Sequence, residues 1–208
     1  MVGDVNLREG VWYESIFSAF ITSNPYFTPL GFRVSQRTIE LKIYRTTKVS
    51  LLIDLLDKAA LNVVDDPYLY YLATFKEETG GIPQSEISSL KGIPVLKKAY
   101  GYILMKKRGL VKHENTYHAS FEIEEIVENP LIPEILEPYS RCRVFLIEMI
   151  IYASKIKAMR ETLDSDLLNK LKRQVEDSYK IVEKTCFNEK DLKLANELKE
   201  MVARWLKR

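Results

Sequence analysis

The amino-acid sequence predicts an α+β fold, with a β-rich domain over residues 1–128 and a small helical domain over residues 129–208. Three observations lead to this prediction. Apolar and polar residues alternate through much of the first part, as they do in half-buried strands. Three prolines then lie close together in residues 129–140 and indicate a rigid connector, because proline cannot donate to a sheet ladder. Beyond them, apolar residues recur at helical spacing.

Six segments of the first domain have the composition of strands. They are rich in β-branched and aromatic residues, and turn-forming residues separate most of them. In the third segment the alternation places Ile39, Leu41 and Ile43 on a core face. Asn24 and Pro25 are expected to end the first strand. The predicted strands are residues 11–22, 30–35, 37–45, 60–64, 99–109 and 116–128.

Helices are predicted in both domains. Ser85, Asp164 and Asn188 each precede or begin an apolar-periodic stretch and have side chains suited to N-caps. The predicted helices are residues 49–58, 66–78 and 83–90 in the first domain, and 141–163, 165–186 and 188–207 in the second.

The number and length of these elements favour a barrel or a sandwich for the first domain. Many short strands and few long helices are not typical of a doubly wound sheet. The glycine-rich fingerprints of dinucleotide-binding folds and of P-loop nucleotide hydrolases are both absent from the sequence.

Charge and hydropathy exclude several classes of partner. The net charge is only +2, from 31 basic and 29 acidic residues, so no broad field attracts nucleic acid or an anionic membrane. The longest apolar run, Val144 to Ala153, contains Glu148 and is half of the roughly 20 residues that a membrane span needs. The first residues contain no apolar signal core. We therefore expect a cytoplasmic protein that binds neither nucleic acid nor a membrane.

Cysteine and histidine give no sign of a metal site or a nucleophile. Cys142 and Cys186 lack metal-ligand spacing and are too few for a disulfide framework, which suits a reducing compartment. Cys142 is expected to be a small buried residue. His113 and His118 are the only histidines and have no third ligand nearby in sequence. No metal is predicted, and no catalytic side chain is identified.

The tetrad Arg45-Thr46-Thr47-Lys48 lies between a predicted strand and a predicted helix. A helix start presents unpaired backbone N–H groups, and threonine, arginine and lysine add further donors, so a phosphate would fit this junction. The alternative interpretation is a solvated turn that leads into a capped helix.

The order of several motifs resembles an uncharacterised, mainly archaeal protein family, DUF447-like, that has an FMN-binding split β-barrel related to those of the flavin reductases and pyridoxamine phosphate oxidases. The family also has a second, helical domain, which Pro138 to Ile156 resembles. The matching motifs in the barrel region are Pro29-Leu30-Gly31, the strand Ile39 to Tyr44, the junction Arg45 to Lys48, Asn62-Val63-Val64 and Asp65-Asp66-Pro67.

This resemblance implies a homodimer that binds FMN near its interface and has oxidoreductase capacity. The junction would hold the phosphate, backbone groups of a Thr28 to Gly31 turn would face the polar edge of the isoalloxazine, and Arg33 and Asn62 would contact the flavin or its ribityl chain. For the Thr28 to Gly31 segment, a simple tight turn with a left-handed glycine is the alternative. The implied cofactor-binding residues are Thr28, Leu30, Gly31, Arg33, Arg45, Thr46, Thr47, Lys48 and Asn62.

The sequence departs from the family pattern at a few positions. Val49 and Leu52 replace a hydroxyl and an amide at the junction, and Ser140 and Cys142 replace Asn and Ala near the helical domain. Each lost partner would weaken binding by about 1 to 3 kcal/mol if it left a polar group unsatisfied. A second hypothesis is therefore a dimeric scaffold or small-ligand binder that has lost the flavin.

Overall fold

The computed structural model describes residues 12–129, 141–186 and 189–207, which fall into two compact units. Of these residues, 12–64 and 75–129 form the first unit, and 65–74 and 141–207 form the second. Most of the proline-rich connector and the predicted cap Asn188 lie outside the described residues.

A closed antiparallel barrel of six strands forms the first unit, in the order β1-β2-β3-β8-β7-β4, with β4 pairing back to β1. This confirms the α+β prediction and decides for a barrel. Each of the six predicted strands is present; residues 116–128 have the predicted ends, and the ends of the other five are shifted. The strands are β1 (Trp12–Ile21), β2 (Asn24–Ser35), β3 (Thr38–Tyr44), β4 (Lys58–Val63), β7 (Gly101–Lys112) and β8 (Thr116–Glu128).

The barrel interior is filled by one apolar cluster. Ile39, Leu41 and Ile43 are buried in it, as the alternation along β3 predicts. The rings of Phe17 on β1 and Phe121 on β8 meet edge to face, with centroids 6.3 Å apart. Aromatic pairs in this arrangement add about 0.5–1.5 kcal/mol to the effect of area burial.

Strand β2 begins where the sequence predicts a break. Thr22, with a φ of 57°, lies in the turn after β1, and the chain then stays extended from Asn24 through Pro25 and Pro29 to Ser35. The first strand therefore ends before Asn24, as predicted, but Thr22 and Ser23 form the turn, and Asn24 and Pro25 belong to the next strand. A strand tolerates proline when the missing N–H faces a side with no ladder.

Two of the predicted helices in the first domain are shorter than expected. In place of residues 49–58, α1 covers Lys48–Leu52 and a 3-10 turn covers Ile53–Leu55. Residues 66–78 form two helices, α2 (Pro67–Thr74) and α3 (Lys76–Thr79). They are separated by Phe75, whose ring is fully buried and whose φ of −105° and ψ of 43° are not helical.

The predicted helix over residues 83–90 is wrong. A 3-10 turn at Gln84–Glu86 leads into a hairpin of β5 (Ile87–Leu90) and β6 (Ile93–Leu96). Lys91 and Gly92 connect these strands and have φ values of 50° and 76°. Two consecutive residues with positive φ are typical of a tight hairpin turn. The Lys91-Gly92 pair was therefore the sequence signal for a hairpin, although the residues before it suggested a helix.

The second unit is helical. Its long helices are α4 (Arg141–Met159), α5 (Ser165–Thr185) and α6 (Glu189–Leu206), and α2 belongs to it as well. Asp164 is confirmed as an N-cap, because its Oδ1 accepts a hydrogen bond from the Leu167 N–H at 2.8 Å. Among the described residues, no helix has the length and apolarity needed to cross a membrane.

A disulfide bond joins Cys142 and Cys186, which contradicts the expectation of two reduced cysteines. The residues are 44 apart in sequence, but α4 and α5 pack against each other as a hairpin. The first turn of α4 therefore meets the end of α5, with a Cα–Cα distance of 5.0 Å. The cysteine argument for a reducing compartment no longer holds.

Two buried serines on β1 differ in their hydrogen bonding. Ser18 Oγ donates to the Pro94 carbonyl oxygen at 2.6 Å and accepts from Asn62 Nδ2 at 2.8 Å. Ser15 Oγ has no hydrogen-bond partner among the described residues, although Ser15 is fully buried. An unsatisfied buried hydroxyl is destabilising, whereas a satisfied one is not.

Replacing Ser15 with Ala is expected to raise the free energy of unfolding by about 1 kcal/mol, because the variant no longer buries an unpaired hydroxyl. The midpoint of thermal unfolding should rise by about 2–4 °C. Ser18→Ala is the matched control and should lower stability by about 1–3 kcal/mol, since Asn62 and Pro94 lose their partner. Circular dichroism during heating measures the unfolding midpoint of both variants. If the two substitutions lowered the midpoint by the same amount, the predicted difference between Ser15 and Ser18 would be wrong.

Removing the disulfide should destabilise the helical unit. A closed loop of this length contributes about 4 kcal/mol in the loop-entropy account. We expect the Cys142→Ser, Cys186→Ser double variant to unfold at a lower temperature than the oxidised protein, as monitored by helical ellipticity. Thiol titration of the unfolded, non-reduced protein provides the control, and two free thiols there would show that the bond does not form.

Candidate functional site

Strands β2 and β3 pair along only part of their length. The ladder joins Phe32–Ser35 to Thr38–Leu41 and then stops, so residues 24–31 of β2 are paired with β1 alone. The opposite side of the opening is formed by the end of β3 and the following turn. We call this opening, between residues 24–31 and residues 42–48, the split.

The edge of β2 at the split has no neighbouring strand over residues 24–31. Backbone N–H and C=O groups of alternate residues point to opposite sides of a strand. Pro25 and Pro29 have no N–H to give, so we infer that their side of the strand faces away from β1 and into the split. Phe27 shares that parity, and its carbonyl oxygen accepts a hydrogen bond from Lys76 Nζ at 3.1 Å.

The segment Thr28 to Gly31 lies within β2, so the predicted turn is wrong. Gly31 is not in the left-handed region, and a Cβ there would meet Glu14 Oε1 at 3.4 Å, an ordinary contact. Thr28 and Leu30 lie opposite Phe17 and Ser15 of β1, and Leu30 belongs to the barrel core.

Thr46 and Thr47 form the junction on the other side of the split. Thr47 is the N-cap residue of α1, but its hydroxyl donates to the Tyr44 carbonyl oxygen at 2.7 Å and does not cap the helix. Thr46 is exposed. The five residues of α1 make a smaller dipole than the predicted ten-residue helix would, so hydroxyl and cationic groups matter more here.

The two cations of the junction point in different directions. Lys48 forms an ion pair with Glu77 of α3. The guanidinium of Arg45 donates from Nη1 to the Glu114 carbonyl oxygen at 3.0 Å. The backbone N–H of Arg45 donates to the Asn115 carbonyl oxygen at 3.2 Å. Arg45 is thus held at the turn between β7 and β8.

Helix α3 contacts both sides of the split, which sequence analysis did not foresee. Lys76 Nζ donates to the Phe27 carbonyl oxygen at 3.1 Å and lies 4.7 Å from the centroid of the Tyr26 ring. The next residue, Glu77, reaches Lys48. Nothing in the sequence distinguishes these residues from an ordinary charged helix surface.

Tyr26 stands beside Lys76 at the same end of β2. Burial raises the pKa of Tyr26 to about 12, and a hydrogen bond with Thr28 opposes that rise. The phenol is therefore neutral at physiological pH and can act as a hydrogen-bond donor.

Arg33 and Asn62 both contact other residues of the barrel. Arg33 Nε donates to Glu40 Oε2 at 2.6 Å, across the paired part of β2 and β3. Asn62 is fully buried: its Nδ2 donates to the Ile16 carbonyl oxygen and to Ser18 Oγ, and its Oδ1 accepts from the Leu96 N–H, each at 2.8 Å. These three hydrogen bonds of the Asn62 amide join β1, β4 and β6, so Asn62 holds these strands together.

A second depression, with a volume of about 450 Å³, lies elsewhere on the barrel. It is open and lined largely by charged side chains that pair with one another, including Lys58 with Glu124 at 3.2 Å and Lys91 with Glu125. Within the described ranges, no three histidine, cysteine or acidic side chains come together as a metal site.

Comparison with solved structures defines the class of fold. The chain is 20% identical to the FMN-bound protein MM1853 from Methanosarcina mazei, covering 94% of this chain and 96% of that one with a TM-score of 0.77. It is 14% identical to flavin reductase HpaC, solved with NADP+, covering 64% and 85% with a TM-score of 0.50. The barrel therefore has the fold of the flavin-reductase-like split barrels.

The family follows from the sequence match. Residues 13–129 match the family described as "Protein of unknown function (DUF447) N-terminal domain", and the chain belongs to this family. This confirms the resemblance inferred from the order of the motifs. A search of curated proteins gives no match.

Proposed function

We propose that this protein binds FMN in the split and has oxidoreductase capacity. The observation that carries the proposal is the arrangement of the split itself. The edge of β2 over residues 24–31 has no strand partner on the split side and lies across from an exposed junction that contains Thr46, Thr47 and Lys48. The FMN-bound state of the Methanosarcina mazei protein, which has the same fold over nearly its whole length, supports the choice of ligand.

The residues of the junction suit the phosphate end of such a cofactor. Lys48 would give a charge-assisted hydrogen bond, which is roughly twice as strong as a neutral one. The hydroxyl of Thr46 is exposed to a ligand, and Thr47 leaves the first-turn N–H groups of α1 without a side-chain cap. Arg45 would contribute to the local positive charge from its position at the β7–β8 turn.

The edge of β2 suits the ring end. Backbone groups along this edge would offer hydrogen-bond donors and acceptors to the alternating polar groups along one side of an isoalloxazine. Leu30 and Thr28 lie on the same strand beside them. We do not include Asn62 in the proposed site, because the interior network occupies its amide. Arg33 remains a candidate contact for the flavin, with an exposed ion pair to Glu40 that a ligand would have to replace.

Bound FMN would supply the capacity to accept and donate hydride or electrons, and the protein would bind and orient it. This division of labour explains why the sequence reveals no acid, base or nucleophile. The family departure at position 49 does not oppose the proposal, because Val49 is buried in the barrel core and its side chain does not face the junction.

The proposal includes a homodimer. Four large apolar side chains beside the junction are exposed: Leu51 by 76%, Leu55 by 78%, Val111 by 57% and Tyr44 by 44%. Lys112 at the end of β7 pairs with Asp54 of the 3-10 turn, which brings the backbone beside Val111 near the backbone beside Leu55. Exposed apolar groups that cluster in this way mark interaction surfaces.

Flavin binding is tested by visible absorption of the purified protein after FMN is added and excess ligand removed. We expect flavin bands at about one per chain, and about 10- to 100-fold weaker binding in Lys48→Ala, the effect of losing a hydrogen bond to a charged group. Thr46→Ala should weaken binding by a smaller factor. Lys98→Ala is the control, since Lys98 pairs with Glu86 away from the split.

A colourless protein that takes up no FMN would instead support the second hypothesis, a scaffold or small-ligand binder without flavin. Retained flavin with unchanged affinity in the Lys48 and Thr46 variants would place the phosphate elsewhere.

The dimer is tested by light scattering after gel filtration. The wild-type mass should be twice the 24.2 kDa of one chain, and Leu51→Asp with Leu55→Asp should reduce it to one chain by placing charges in the apolar surface. Leu167→Asp is the matched control, because Leu167 is a leucine of the helical unit that is 40% exposed. A wild-type mass of one chain would contradict the proposal.

A further inference from the structure

Helix α3 places an acidic side chain on the cation that the proposed phosphate site depends on. Glu77 forms an ion pair with Lys48, and the preceding residue, Lys76, attaches the same helix to the edge of β2 through the Phe27 carbonyl oxygen and the Tyr26 ring. The helix therefore connects the two sides of the split at the junction end.

We propose that Glu77 is a specificity-determining residue: it competes with a phosphate monoester for Lys48 and so reduces the preference of the site for phosphorylated over unphosphorylated flavin. This inference rests on the proposed function. Lys76 acts as a positioning residue, because its contacts with β2 hold α3 where Glu77 can reach Lys48.

The strength of the ion pair suits an exchangeable contact. The side chains of Lys48 and Glu77 are 62% and 56% exposed. Ion pairs in such positions contribute only about 0.2–1 kcal/mol. A buried pair would block the site, whereas this one yields to a stronger anion.

A phosphate monoester is such an anion. It carries a charge of about −1.5 to −2 at neutral pH and three strong acceptor oxygens, compared with one charge on the Glu77 carboxylate. A ligand without phosphate cannot replace the carboxylate on Lys48. The ion pair thus opposes phosphorylated ligands slightly, and neutral ligands not at all, while it keeps Lys48 ordered at the junction.

The consequence is a testable asymmetry between FMN and riboflavin. In Glu77→Gln the competing charge is gone, so FMN should bind about 2- to 5-fold more tightly, the factor that corresponds to an exposed ion pair. Riboflavin affinity should not change. The gain for FMN should shrink at high salt, because exposed charges are screened.

The experiment titrates the wild-type protein and the variants with FMN and with riboflavin, following the quenching of flavin fluorescence. Glu78→Gln is the matched control, because it makes the same charge change in the same turn of α3 and leaves the Lys48–Glu77 ion pair in place. It should alter the FMN-to-riboflavin affinity ratio less than Glu77→Gln does. The Glu77→Gln substitution is also made in Lys48→Ala, where it should have no effect on FMN affinity, because the two residues then no longer share a contact.

Three outcomes would overturn the inference while leaving FMN binding intact: no gain in Glu77→Gln, the same gain for riboflavin, or the same gain in the Lys48→Ala background. Failure of the proposed function looks different. In that case the wild-type protein itself binds neither flavin, and the inference about Glu77 fails with it.

Discussion

The interrupted pairing of β2 and β3 is the constraint on which the candidate site depends. The ladder ends at Phe32 and Leu41, and three further steps in the same register would place Pro29 opposite Tyr44. Pro29 has no N–H for that pair, and Pro25 repeats the defect four residues earlier. The barrel closes through the last four residues of β2 and leaves the rest of that edge available to a ligand.

Behind the split, the barrel is held by apolar packing and by a small, satisfied polar network. Asn62 uses its whole amide to join three strands, and Ser18 links it to Pro94. Such a network is expensive to leave half satisfied, which explains why Asn62 has no capacity left for a cofactor. The structural support of the candidate site and its proposed ligand-binding side are therefore built from different residues.

The contacts around the split itself are weak and exposed. Thr47 bonds to the Tyr44 backbone, Lys48 pairs with Glu77, and Lys76 rests on Tyr26. Surface ion pairs of this kind contribute little to stability, so a ligand can replace them at small cost. A rigid barrel with exchangeable polar groups at its opening is consistent with a protein whose chemistry comes from a bound group.

The sequence by itself determined the six barrel strands, the long C-terminal helices, the inward set Ile39, Leu41 and Ile43, and the polar junction at Arg45 to Lys48. These features depend on local periodicity and residue type, which are visible along the chain. Only the tertiary structure decided that Thr28 to Gly31 is an open strand edge, that Asn62 is interior, that Cys142 meets Cys186, and that Lys76 and Glu77 flank the split. The physical reason is that each of these depends on a partner distant in sequence: a strand that stops pairing, a helix that folds back, or a short helix that packs across an opening.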